Sequence, residues 1–285
     1  MARATIARAE SDHLSDLKEA AQTPRKHRDD DDNQERRKER KHHSSSCSSC
    51  NNSPCTCDST KCDDSFSQLL GIAALYTVTS PFWVPVTCLG DDYDLPARFP
   101  DYPYADNLPG SLVRSDGYEG HTRDWTGNLQ LLTVQGTDGV DRYGGRLVLD
   151  SATRLGLDTE TNYWHETFSN GGSDELWTGD ANIVFRFAQS EKVQFRAGVG
   201  LNWIADSWSG DVGFNFTYGA DWFPRKPWTI STVFDMGTIG SGTLFHNRTT
   251  AGVMLGPMEA FSGYDYFQLG SATFHGPVAG VGLRF

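Results

Sequence analysis

Residues 191–240, EKVQFRAGVGLNWIADSWSGDVGFNFTYGADWFPRKPWTISTVFDMGTIG, decide the fold of the chain. From Val193 the odd positions read Val193, Phe195, Ala197, Val199, Leu201, Trp203 and Ala205. The even ones read Lys192, Gln194, Arg196, Gly198, Gly200 and Asn202, with Ile204 the exception. Successive side chains of a strand point to opposite faces, so this is a ribbon with one apolar and one polar side. After residues 207–210 the pattern resumes as Val212, Phe214, Phe216, Tyr218, Ala220 and Trp222 against Asp211, Gly213, Asn215, Thr217, Gly219 and Asp221. Beyond residues 223–227 it returns as Trp228, Ile230, Thr232, Phe234 and Met236 against Thr229, Ser231, Val233 and Asp235.

Worked outward in both directions, the same two-faced ribbon covers residues 124–285. Strands are predicted over 124–135, 143–151, 154–163, 175–188, 192–205, 211–222, 228–238, 244–255, 258–269 and 273–285. The separators are turn chemistry, such as Gly136-Thr-Asp-Gly139, Gly240-Ser-Gly242 and Gly256-Pro257. The reading is an all-β, antiparallel, up-and-down β-barrel of eight to ten strands, the count depending on a break near Ala152.

Two kinds of barrel fit this alternation. A soluble one buries the apolar face and averages about five or six residues per strand. A membrane one turns that face to lipid and needs roughly nine to eleven residues to cross. Strands of about a dozen residues favour the membrane barrel. Trp177, Trp203, Trp222 and Trp228 near strand ends suit aromatic girdles at the lipid–water interface. The polar face then becomes the lumen, with Arg146, Asp150, Asp180, Arg186, Lys192, Arg196, Asp211, Asp221, Asp235 and Arg284 as its charged set. Such a set either lines a solute path or packs as paired charges, and about ten strands favour packing. The alternative is a soluble or periplasmic barrel whose apolar face lines a cavity for a hydrophobic ligand.

Composition narrows the classes. A formal charge of −12 with no basic face argues against a nucleic-acid binder. A mean hydropathy of −0.49 excludes a helical membrane bundle but not a barrel, where only alternate residues meet lipid. His165, Glu166, Asp235, His246 and His275 could support acid–base chemistry if they met in space. No Gly-x-Ser-x-Gly, His-Glu-x-x-His or phosphate-binding glycine loop accompanies them, so no enzyme is expected.

Residues 1–65 are a different polymer, charged and Ser/Cys-rich with few large apolar residues, and read as disordered. A short helix over residues 11–21, capped by Asp12, fits within them. Cys47, Cys50, Cys55, Cys57 and Cys62 have the spacing of a thiolate tract for zinc or copper(I), set against a plain low-complexity tail without cofactor. Residues 66–123 join an apolar segment to a Pro/Tyr-rich linker. Within it, residues 69–86 read either as a signal or anchor, or as a short helix and extended arm on or in the barrel, because Pro81 and Pro85 interrupt them. The acidic approach at residues 62–64 departs from a standard signal peptide.

The closing strand, Gly280-Val-Gly-Leu-Arg-Phe285, resembles the terminal strand of bacterial outer-membrane β-barrel proteins, which end in an aromatic residue. The resemblance covers about residues 124–285. It implies the bacterial outer membrane as location, the lipid bilayer and the barrel-insertion machinery as partners, and Val281, Leu283 and Phe285 as the insertion signal.

Overall fold

The computed structural model describes residues 13–22, 64–91, 97–113, 118–136, 140–168 and 172–285. The chain forms two compact units, Met1–Pro24 with Val84–Phe285, and Arg25–Trp83. In the first, ten strands close into one barrel: β1 Trp125–Gln135, β2 Val140–Ser151, β3 Leu155–Thr167, β4 Ser173–Gln189, β5 Val193–Ala205, β6 Gly210–Trp222, β7 Trp228–Ile239, β8 Gly242–Leu255, β9 Met258–Leu269 and β10 Ala272–Arg284. Each strand pairs antiparallel with its sequence neighbours, and β1 pairs with β10 from Asn128↔Arg284 to Val134↔Val278. Closure removes both sheet edges, which lipid could not satisfy. The break near Ala152 is real: Arg154 takes a left-handed backbone (φ 71) and ends the turn into β3.

The apolar face points outward. Leu129, Leu131, Leu155, Ile183, Val199, Leu201, Val212 and Phe214 are exposed on the wall, while Arg146, Asp158, Asn182, Arg196, Asn215 and Arg248 are buried inside. A soluble barrel with an apolar cavity has the opposite polarity, so that alternative is overturned. Two aromatic belts bound the outer band. Trp125, Trp222, Trp228 and Phe285 ring the mouth where β1 begins and β10 ends, and Tyr163, Trp177 and Trp203 lie near the other. From Val193, which faces Trp222, to Trp203, β5 rises ~25 Å at ~3.3 Å per residue and a tilt of ~40°, the height of the usual apolar band. Trp203 also covers Gly179 on β4, where a Cβ would sit 2.5 Å from its ring.

The two mouths are closed differently. At the terminal mouth, residues 97–113 fold over the opening. Phe99 and Arg123 exchange backbone hydrogen bonds (3.0 and 2.8 Å), and Ser111 N–H donates to the Glu191 carbonyl at 2.9 Å. This part of the Pro/Tyr-rich linker is therefore a lid. At the opposite mouth sits α1, His13–Gln22, inside the segment expected to be disordered. Leu14, Leu17 and Ala21 form one stripe at helical spacing and are fully buried. Asp12 and the rest of residues 1–12 and 23–63, with the disorder and the metal tract read there, lie outside the described residues.

The apolar segment forms one helix, α2 Asp64–Leu89, and not a short helix followed by an arm. Pro81 has no N–H for the carbonyl four residues back, and the Ser80 hydroxyl donates to that Thr77 carbonyl instead (2.7 Å). Among the described residues, no helix is long and apolar enough to cross a membrane, which says nothing of a barrel that crosses with strands.

Candidate functional site: a charge-paired lumen

The lumen follows from strand parity. On β2 the even residues face inward, which places Arg142, Arg146 and Asp150 there. On β8 the even residues bring His246 and Arg248 inside, and on β9 the odd ones bring Glu259 and Asp265. Arg248 is the hub. Its Nη1 and Nη2 donate to the two carboxylate oxygens of Glu160 (2.7 and 2.5 Å), and its Nε donates to Asp265 (2.9 Å). Arg146 meets Asp158 through two nitrogens (2.8 and 2.5 Å). Arg142 pairs with Asp265 and lies 4.9 Å over the Trp164 ring. Taking an ion out of water costs several kcal/mol, and each buried arginine here is matched by a carboxylate or amide that offsets it.

Towards the terminal mouth the same rule continues. Arg196 Nη1 donates to Asp221 (2.5 Å), which also accepts the Ser231 hydroxyl (2.5 Å). Arg284 Nε donates to Glu259 (3.0 Å), and Arg186 Nε donates to the Gln189 amide oxygen (2.6 Å) with Asp150 at 3.4 Å. Between this layer and the lid lies a cavity of ≈ 30 Å³, about one water's share of the liquid. Its walls include Asp150, Gln194, Arg196 and Arg284.

The predicted lumen set is thus mostly brought together, with one correction. Arg146, Asp150, Arg186, Arg196, Asp221, Asp235 and Arg284 are buried inside, and Asp180 is half-buried, accepting from Asn182 at 2.8 Å. Asp211 stands at the far mouth, beside Ala21 and Gln22 of α1. Lys192 is not in the lumen. The Ser190 hydroxyl accepts from the Lys192 and Val193 backbone N–H groups (3.3 and 3.0 Å), which makes a turn of residues 190–192 and leaves Lys192 exposed.

Several central residues were absent from the predicted lumen set: Arg142, Asp158, Glu160, Arg248, Glu259 and Asp265, together with His246, which had been named only for acid–base chemistry. Parity was the available signal: Arg142 shares the inward side of β2 with Arg146 and Asp150, and the others sit opposite the apolar positions of β3, β8 and β9, strands on which no inward residue had been assigned. Of the candidate acid–base group only Asp235 and His246 come together; the rest disperse. His246 lies between Asp235 (3.0 Å) and Asp265 (3.1 Å), with both ring nitrogens on carboxylates. His165 lies beside Tyr163, a belt residue, with the ring planes tilted by 32°, whereas Glu166 turns inward to α1. His275 stands between Tyr264 and Tyr266 on the outer wall, its Nδ1 2.7 Å from the Tyr264 hydroxyl. Among the described residues no group of three His, Cys, Asp or Glu could hold a metal ion. Cys88 is exposed and unbridged.

Outside the strands, Tyr104, Tyr118 and Asp206 have displaced pKa values, that of Tyr118 being raised by its hydrogen bond to Asp106. The Tyr104 hydroxyl donates to the Trp228 carbonyl at 2.6 Å, and burial pushes its pKa up to about 12. The Asp206 carboxylate accepts the N–H of Trp208 (2.8 Å) and Ser209 (2.7 Å), which hold it below the usual range. Val281, Leu283 and Phe285 all lie on the lipid side of the seam. Phe285 exchanges backbone bonds with Gly127 (2.7 and 2.9 Å), and its ring covers that glycine.

A closed antiparallel barrel with an apolar outer band, aromatic rims and a charge-paired interior is a transmembrane β-barrel of the outer-membrane type. No protein-family model matches the chain, and no curated protein matches it in sequence. Among solved structures it is similar to the N-terminal β-barrel domain of Pseudomonas aeruginosa OprF, 11% identical over 56% of this chain and 97% of that one, with a TM-score of 0.28. Ail, the attachment invasion locus protein of Yersinia pestis, is 13% identical over 56% of this chain and 96% of its own (TM-score 0.27). The KdgM porin is 11% identical over 55% and 99% (TM-score 0.26). The barrel class rests on this chain's own geometry.

Proposed function

We propose that this protein is a structural, surface-exposed β-barrel of a bacterial outer membrane, closed to solutes and without catalysis of its own. The observation that carries the reading is the lumen, crossed by paired arginines and carboxylates and covered at both mouths. Location in an outer membrane is supported by the ~25 Å apolar band between aromatic belts and by the outward Val281, Leu283 and Phe285 on the closing strand. We assign those three residues to recognition by the barrel-insertion machinery.

The test has two parts. The folded protein should fractionate with detergent-extracted membranes and migrate differently in gels before and after heating. Reconstituted into planar bilayers it should give no stable conductance steps. Recovery in the soluble fraction defeats the membrane reading, and steady open channels in the unmodified protein defeat the closed one.

A further inference from the structure

The mouth opposite Phe285 is built unlike the rest of the lumen. Elsewhere most inward positions are charged or polar, apart from the small cluster of Leu132, Val134, Phe261 and Val278, but here Trp164, Leu176, Ile204, Leu244, Phe267 and Phe274 point inward and form one larger apolar collar. Left open to water, such a collar is a large apolar patch of the kind that marks a binding surface. The collar encloses Leu14, Leu17 and Ala21 of α1.

Three polar features around the collar are matched to a helix as a helix. Glu166 places one carboxylate oxygen on the His13 N–H (3.2 Å) and the other on the Leu14 N–H (2.9 Å), capping amides that a helix cannot satisfy internally. Asp174 receives Lys18 Nζ through both oxygens (2.9 and 2.7 Å), with Asp206 at 3.7 Å. At the helix's other end, Ser241 donates its backbone N–H and its hydroxyl to the Ala21 carbonyl (2.7 and 2.9 Å). The rim is cut away to fit. A Cβ on Gly240 would lie 2.3 Å from the Ala21 oxygen, one on Gly242 2.7 Å from the Ala20 oxygen, and one on Gly270 3.0 Å from the Ala20 Cβ.

We propose that this mouth is a helix-binding socket, and that α1 is its resident ligand, a tethered stopper exchangeable with the same helix supplied in trans. The ligand class is a short amphipathic helix with apolar residues at i, i+3 and i+7, its N-terminus on Glu166 and a cation at i+4 for Asp174. Affinity comes from the collar, while orientation comes from the two carboxylates at fixed separation. This goes beyond the closed-barrel reading and does not depend on which membrane holds the barrel.

The experiment uses the full chain refolded in detergent micelles, with a protease site introduced within residues 25–40 so that the tether can be cut after folding. A fluorophore-labelled synthetic peptide of residues 11–24 is added to the nicked protein and followed by anisotropy. The expected result is saturable uptake at one peptide per barrel, blocked by unlabelled peptide. Leu17→Asp in the peptide abolishes uptake, and Lys18→Glu weakens it about tenfold. The Lys18→Glu peptide regains affinity on a barrel carrying Asp174→Lys, a rescue that a misfolded barrel would not give. Uptake that is equal for the Leu17→Asp and unmodified peptides overturns the socket, as does an intact nicked barrel that takes up no peptide.

Discussion

Replacing Arg248 by Met tests whether the lumen network holds the barrel together. The substitution keeps most of the side chain's length and removes three charge-assisted hydrogen bonds, two to Glu160 and one to Asp265. Each is worth roughly 1.5–3 kcal/mol, and stripping one partner from a buried pair costs about 3–5 kcal/mol because the other charge stays behind. Two features place the cost at the lower end. Asp265 keeps Arg142 and His246, and Glu160 keeps the Asn162 amide at 2.9 Å. The expected loss is therefore about 3 kcal/mol, or ~150-fold in the unfolding constant. Adding Glu160→Leu to Arg248→Met removes the stranded charge and should bring stability back to within ~1 kcal/mol of the starting protein. Urea unfolding in micelles, followed by tryptophan fluorescence, measures both. A single variant that costs under ~1 kcal/mol, or a double variant as unstable as the single, refutes the reasoning.

The lid predicts a pH effect with a definite sign. The raised Tyr104 pKa favours the protonated phenol in the folded state, so its stabilisation is complete below pH 10 and is lost as pH rises through about 12. Tyr104→Phe should flatten that alkaline loss in pH-dependent melting, and it should cost about 1 kcal/mol at neutral pH through the lost bond to Trp228. Gly240→Ala adds a Cβ at φ +54 against the Ala21 carbonyl, so α1 should become susceptible to trypsin at Lys18 while the barrel still shows heat-shifted mobility. The lid and α1 close opposite mouths, and Asp91 bonds Arg154 beside the lid at 2.6 Å. With cysteines 47–62 replaced by serine, an impermeant thiol reagent applied to one face of a sealed vesicle should label either Cys88 or a Glu19→Cys variant. Labelling of both from one face contradicts the placement of α1.

Much of the barrel was legible because strand alternation is a local property with a period of two. Once residues 193–222 set the phase, a barrel of eight to ten strands followed, and the closed structure has ten. The outer belts followed as well, because lipid admits apolar side chains on one face only. The lumen was legible only as a composition. Parity could have added Glu160, Arg248 and Asp265, but no one-dimensional pattern says that an arginine on β8 meets a glutamate on β3, 88 residues away in the chain. Lys192 was misplaced because a Ser190-centred turn starts the strand at Val193, one residue after the alternation begins.

The chain by itself determined the two-faced ribbon and the length of its strands, since these depend on each residue's own character and on its neighbours in sequence, while which face turns outward was read from the closed barrel. Tertiary structure decided which charges pair and how each mouth closes. Ile204 shows the division most plainly. In the sequence it is the one break in the alternation of residues 192–205. In the fold it is part of the collar that receives α1, a helix more than 180 residues away along the chain. Its apolar character answers a contact made only when the barrel has closed, and closure depends on register between strands that no local pattern contains.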